Sequence, residues 1–169
     1  EDSLIADDRL GLYAVADGMG GHQGGDRASS MAVDIVRGKI ADVGDFDAAA
    51  KKIFDAERAD GLVPAFPLAS LPQNENRDQP TMPPSGEFVT DPDVMARPPA
   101  AATVLHAAAR CAGRDIFDAA QNSPDLAGMG TTLTALLFNG DRAYVTHVGD
   151  SRGFLFRDGH IEQLTEDHS

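Results

Sequence analysis

The run VADGMGGHQGG, residues 15–25, sets a short apolar segment against an aspartate and then five glycines in eight residues. It reads as a strand that ends, a turn, and a helix that begins. Such a glycine-rich turn commonly cradles phosphate through backbone N–H groups at the helix N-terminus. Here a carboxylate heads the turn, and a carboxylate repels phosphate. The dinucleotide fingerprint G-x-G-x-x-G, laid over Gly18 and Gly20, needs glycine where Gln23 stands, and the Gly-Lys-Ser/Thr of a phosphate loop occurs nowhere. Two readings of Asp17 stay open: a ligand for a hard divalent cation, or an ordinary turn residue before glycine.

Working outward, Ser3 to Ala6 and Gly11 to Ala16 read as short strands joined by the polar turn Asp7-Asp8-Arg9, a hairpin ending at Asp17. The hairpin brings Glu1 and Asp2 beside Asp17, so that the carboxylates can share an ion, and Gly18 lets a backbone carbonyl approach it. After the glycines, Asp26 is placed to cap a helix whose apolar face runs Ala28, Met31, Ala32, Ile35, Val36 and Ile40. Asp47 is placed to cap a second, Ala48 to Ala59, anchored by Ile53 and Phe54. From 61 to 99 the character changes, with nine of the ten prolines in 39 residues. No regular element survives that density of proline, and the segment reads as a solvated surface insertion or as a partner-docking loop with Phe66, Leu68, Leu71 and Phe88 as anchors.

Ala100 to Asn122 returns to helical spacing, with Leu105, Ala109, Ala112, Ile116 and Ala119 on one stripe, Cys111 beside it, and Pro124 closing the helix. Four β-rich runs follow: Thr131 to Phe138, Arg142 to Val148, Gly153 to Arg157 and His160 to Leu164. Their tight turns suggest an antiparallel meander. Strands, then helices, then strands again predict an α+β fold rather than a doubly wound parallel sheet. Asp150, in the turn VGDSR, is a second position open to both readings, cation ligand or turn residue.

Composition narrows the partners. The 169 residues carry 27 acidic against 14 basic side chains, a formal net charge of −13 that opposes nucleic acid and anionic membrane surfaces but suits divalent cations. One cysteine excludes an internal disulfide and suits a reducing cytoplasm. No run of 18 apolar residues occurs, Glu1-Asp2-Ser3 does not begin a signal peptide, and the missing initiator Met reads as an excerpt from a longer chain. No G-x-S-x-G elbow is present and Cys111 sits mid-helix, so a covalent nucleophile finds no support.

Four stretches in this order, EDS (1–3), LYAVADGMGGHQGGDRAS (12–29), GMGTTLTALL (128–137) and YVTHVGDSRGFLFRDGHIEQLTEDHS (144–169), together resemble the bacterial branch of the metal-dependent type 2C (PPM-type) protein serine/threonine phosphatases. The resemblance implies a four-layer αββα sandwich, two antiparallel sheets flanked by helices. Residues 1–169 would form the N-terminal two-thirds of one catalytic domain. It implies two Mn²⁺ or Mg²⁺ ions and a third, weaker one. Asp17 matches the carboxylate bridging both ions, Glu1 a ligand of the second ion, Gly18 its carbonyl ligand, Asp2 a residue bonded to metal-bound water, and Asp150 a holder of the third ion. A metal-bridging hydroxide would attack phosphorus in line, with no covalent phospho-enzyme.

Many eukaryotic members carry a histidine directly after the Asp-Gly pair as the leaving-group acid; Met19 stands there, as a packing residue beneath the loop. His22 occupies the place bacterial members use and is the candidate general acid, or else an ordinary helix-start histidine. The family's phosphate-binding arginine would precede Glu1 and two further metal-binding aspartates would follow Ser169, so residues 1–169 alone are expected to be inactive. Implied partners are phosphoprotein substrates of a Ser/Thr kinase, acted on by a cytoplasmic monomer with no nucleic-acid or membrane contact. The alternatives are a catalytically silent phosphatase-like regulatory or binding module, and a sporulation or stress-response regulator phosphatase with one substrate. GMGTT and the closing DHS are assigned no chemistry: strand entry, and a turn closed by His168.

Overall fold

A computed structural model describes residues 1–20, 22–59 and 99–168. The proline-rich insertion, apart from Pro99, lies outside the described residues, as do the side chains of His22 and Gln23.

Strand β1 (Asp2–Asp7) turns through residues 8–11 into β2 (Leu12–Met19), giving the expected hairpin with its second strand running two residues past Asp17. Helices α1 (His22–Ala41), α2 (Phe46–Ala59) and α3 (Ala100–Asn122) follow, then a 3₁₀ turn at Pro124–Leu126. Five strands close the chain: β3 (Gly130–Thr131), β4 (Leu133–Asn139), β5 (Arg142–Val148), β6 (Phe154–Arg157) and β7 (His160–Gln163). The main sheet is antiparallel in the order β1-β2-β4-β5, with β3 paired to the end of β2, and β6-β7 forms a second antiparallel sheet. The architecture is α+β, as expected.

Period-two alternation assigns β2 its two faces. Leu12, Ala14, Ala16 and Gly18 are buried, while Val15, Asp17 and Met19 are exposed. On the covered face the sheet residues Ala14, Ala16 and Ala135 are small and meet Ala28 and Ala32 of α1, so helix and sheet lie close. Leu12, Leu137 and Leu105 complete this core without exposure, each contributing roughly 1.5–3 kcal/mol by burial. Helix α1 rests on β1 and β2, α3 on α1 and the β4-β5 pair, and α2 on α3. The expected α3 stripe is inside, with Leu105, Ala112 and Ile116 buried and Ala109 and Ala119 partly so. Cys111 beside it is partly buried. The opposite face of the sheet carries Leu4 at 74% and Val15 at 51% exposure, directly paired in register.

Three sequence expectations are corrected. Helix α1 starts at His22, so Asp26 lies inside the helix rather than capping it. Gly24 and Gly25 are poor helix formers, but Gly25 packs backbone to backbone on β2: a Cβ on Gly18 would stand 2.1 Å from Gly25 O. Helix α2 is capped by Asp45, whose Oδ1 accepts from the N–H groups of Asp47 (2.8 Å) and Ala48 (3.3 Å). Asp47 sits in the first turn, where the helix dipole favours its charge. Finally, the four C-terminal runs are not one meander. Beyond Val148 the chain leaves the sheet at Gly149 (φ +107°), and β6 and β7 pair only with each other, across Asp158 and Gly159 with both φ values positive.

Buried Asp7 ties sheet to helix. Its Oδ2 accepts from Arg37 Nε (3.2 Å) and Nη2 (3.1 Å), and its Oδ1 from the N–H groups of Arg9 and Leu10. The Arg37 hydrogen bond holds its carboxyl below the ordinary carboxylate range, against the opposing effect of burial. A depressed folded-state pKa contributes stability that is complete above the unfolded value of about 3.9 and is lost as pH falls through the folded one. Thermal unfolding of Asp7→Asn against wild type is therefore expected to show its widest gap at neutral pH, closing below about pH 4. A gap unchanged between those conditions would show that charge is not its source.

Candidate metal centre

The hairpin register sets Asp2 directly opposite Asp17. Gly18 N–H donates to Glu1 O at 3.3 Å, which makes Asp2–Asp17 a non-hydrogen-bonded pair, the type with Cα atoms about 4.5 Å apart and side chains closer. Both carboxylates are exposed on the open face of the sheet. Like charges directly opposite each other destabilise a strand pair, and a cation between them reverses the sign of that interaction.

Glu1 is pinned from α1. Buried Ser29 donates to Glu1 O at 2.6 Å, and its oxygen lies 2.9 Å from Ser3 Oγ. Gly25 opens the space between them: a Cβ there would stand 2.9 Å from Gly18 O and 3.2 Å from Glu1 Oε2. A carbonyl and a carboxylate oxygen thus face one small gap on the α1 side, while Asp2 and Asp17, one residue along each strand, are on the open face. Hard oxygen donors of this kind suit Mg²⁺ or Mn²⁺, so the residues fit such an ion. Gly18 lacks a Cβ for a further reason than the one read from sequence, since its side-chain position is filled by α1. Met19, expected beneath the loop, is instead 56% exposed on the same face as Asp17 and packs its thioether over Gly130, because alternation along β2 turns it outward.

Asp17 is held by a pair of threonines more than a hundred residues away. Its N–H donates to Thr132 Oγ1 (3.0 Å), and its carbonyl accepts from Thr132 N–H (2.9 Å) and Thr131 Oγ1 (3.0 Å). Thr132 Oγ1 also lies 2.9 Å from Ser151 Oγ, beside exposed Asp150. The structure therefore gathers Glu1, Asp2, Asp17 and Gly18 at one sheet end and links Asp150 to them through Ser151. Among the described residues, no three His, Cys, Asp or Glu side chains close around a common point. His22 begins α1.

The turn carrying Asp150 has its own supports. Gly149 O accepts from His147 Nε2–H (3.0 Å), and His147 Nδ1 lies 2.9 Å from Thr134 Oγ1. Gly149 N–H donates to His168 Nδ1 at 3.3 Å, and the two imidazoles stack with centroids 5.1 Å apart. Arg152 clamps Asp167 through Nε (3.0 Å to Oδ1) and Nη2, holding that carboxyl below its ordinary range. His168 thus does more than close a turn. Sequence reasoning missed Ser29, Thr131, Thr132, Ser151 and His147; the only hint was the adjacent Thr-Thr after glycine, which suits any strand entry.

The family model described as Protein phosphatase 2C matches residues 2–169. Serine/threonine protein phosphatase PstP of Mycobacterium tuberculosis is 36% identical over 167 residues, covering 99% of this chain and 22% of that protein. A crystal structure of M. tuberculosis PstP/Ppp aligns with a TM-score of 0.58 at 31% identity, over 98% of this chain and 47% of the other. A second, of the PstP catalytic domain in complex with two manganese ions, gives a TM-score of 0.54 at 32% identity, over 98% and 48%. The chain thus spans about a fifth of the full relative and half of the solved chains. No helix among the described residues is long and apolar enough to cross a membrane.

Proposed function

The chain belongs to the Protein phosphatase 2C family, and from that membership we propose that it serves metal-dependent hydrolysis of phosphoserine and phosphothreonine in proteins. The observation that carries this reading is the register that faces Asp2 with Asp17 at the strand end where Glu1 Oε2 and Gly18 O also converge on Gly25. Asp17, Glu1 and the Gly18 carbonyl would hold two Mn²⁺ or Mg²⁺ ions, and Asp150 a third, weaker one. When bound, the ions supply Lewis acidity that lowers the pKa of water and offsets charge on the phosphoryl oxygens.

The remaining work falls to the protein. Asp17 stays in place because both of its backbone groups are bonded to Thr132. Ser29 holds the Glu1 main chain through its carbonyl, which fixes the point from which the Glu1 side chain extends. Asp2, opposite Asp17, is placed to accept a hydrogen bond from attacking water. His22 is assigned as proton donor to the departing serine or threonine oxygen. Substrates are products of a Ser/Thr kinase, met in the cytoplasm by a monomeric enzyme.

The test is phosphate release from phosphothreonine and phosphotyrosine peptides by the full-length protein that carries residues 1–169, with Mn²⁺ and with chelator. The expected result is Mn²⁺-dependent release from the phosphothreonine peptide only. Tight binding of that peptide without release would favour a silent module and overturn the enzymatic reading.

A further inference from the structure

We propose that Thr132 is a positioning residue whose single hydroxyl couples the Asp17 end of β2 to the turn bearing Asp150, so that cation binding at either is felt at the other. The proposal rests on the metal reading above and concerns how its two parts communicate.

Thr132 is 2% exposed and lies between β3 and β4. A hydroxyl offers one proton and two lone pairs. One lone pair takes the Asp17 N–H, and what remains meets Ser151 Oγ as either donor or acceptor. No other described side chain makes hydrogen bonds to both segments. The rest of the Thr132 side chain completes the link by contact. A Cβ on Gly149 would stand 2.7 Å from Thr132 Cγ2 and 2.8 Å from its Cβ, so the backbone of the turn rests on the threonine itself. The turn has little freedom to slide away, because Gly149 O also accepts from His168 N–H at 2.8 Å and from His147 Nε2.

Strand formation alone does not call for this hydroxyl. Valine fills nearly the same volume and suits extended backbone equally well. What valine lacks is the oxygen that holds Asp17 N–H and Ser151 together. Positions supporting metal ligands typically change affinity by about 10–100-fold when altered, and coupling between two binding sites is reciprocal.

The experiment measures Mn²⁺ binding calorimetrically on the folded full-length protein, comparing wild type, Thr132→Val, Thr132→Ser and Ser151→Ala, each with and without Asp150→Asn. Wild type is expected to lose severalfold in its tight-site affinity on Asp150→Asn. Thr132→Val should bind about tenfold more weakly at the tight sites and show no further response to Asp150→Asn. Thr132→Ser, which keeps the hydroxyl, should restore both properties. Ser151→Ala leaves the Asp17 bond intact, and should abolish the response with tight-site affinity near wild type; it carries the test if Thr132→Val fails to fold. Wild-type binding and wild-type response in both Thr132→Val and Ser151→Ala would overturn the coupling while leaving the metal reading standing. Absence of Mn²⁺ uptake by the wild type would instead remove the metal reading, and this inference with it.

Discussion

Asp17→Asn is expected to lower the rate of Mn²⁺-dependent phosphothreonine-peptide hydrolysis by the full-length protein by at least about 10²-fold, the scale set by losing one electrostatic group aimed at transition-state charge. The substitution keeps size and shape while removing the charge. It leaves the backbone bonds to Thr131 and Thr132 untouched, because they use the main chain of residue 17. It also relieves the like-charge opposition with Asp2, so the metal-free protein should melt no lower than wild type and could gain about 0.2–1 kcal/mol. Activity and stability moving in opposite directions distinguishes a metal ligand from a turn-forming aspartate, whose loss would lower the melting temperature and spare the rate.

Gly18→Ala is expected to be the most damaging single methyl group in the described structure. The added carbon would lie 2.1 Å from Gly25 O and 2.8 Å from Glu1 O, both backbone atoms that cannot rotate away. Relief requires α1 to lift from β2, which disturbs the Ala16 and Ala28 packing and the Glu1 anchorage together. Overpacking of this kind costs about 3 kcal/mol or more, a fall in melting temperature of roughly 6–12 °C for a domain of this size. Gly38→Ala in α1 and Gly113→Ala in α3 meet nothing within 4 Å and should each stabilise by about 0.5–1 kcal/mol, as alanine does in a helix interior. Differential scanning calorimetry of the three variants checks both signs; a benign Gly18→Ala would refute the close packing of α1 on β2.

Much of the candidate site was legible because it is local. Residues 1 to 18 form a hairpin from short-range signals, and a hairpin register automatically faces Asp2 with Asp17. The extents of β5 and α3 were readable for similar reasons, since strong periodicity ran up to Pro124 at one end of the helix and to a glycine turn at the end of the strand. The helix starts were misread where side-chain chemistry pointed one way and tertiary contact another. Asp26 looks like a cap, yet α1 begins four residues earlier, because Gly25 must sit in a helix against Gly18. Asp45 and Asp47 are equally good caps by composition, and only the hydrogen bonds choose between them.

Alone, the amino-acid order determined the two faces of β2, the pairing of the acidic residues at its end, and the charge that invites a divalent cation. Those properties depend on alternation, on a short turn and on composition, none of which needs a distant partner. Tertiary structure alone decided that β4 pairs with β2, Leu12 against Leu137, that β6 and β7 leave the main sheet, and that Thr132 joins Asp17 to Ser151. These contacts bring together residues far apart in the chain. They form as α1 and α3 pack on the sheet and β4 pairs with the edge of β2 away from β1, and the Thr132 hydroxyl carries no local sign of which backbone it will hold.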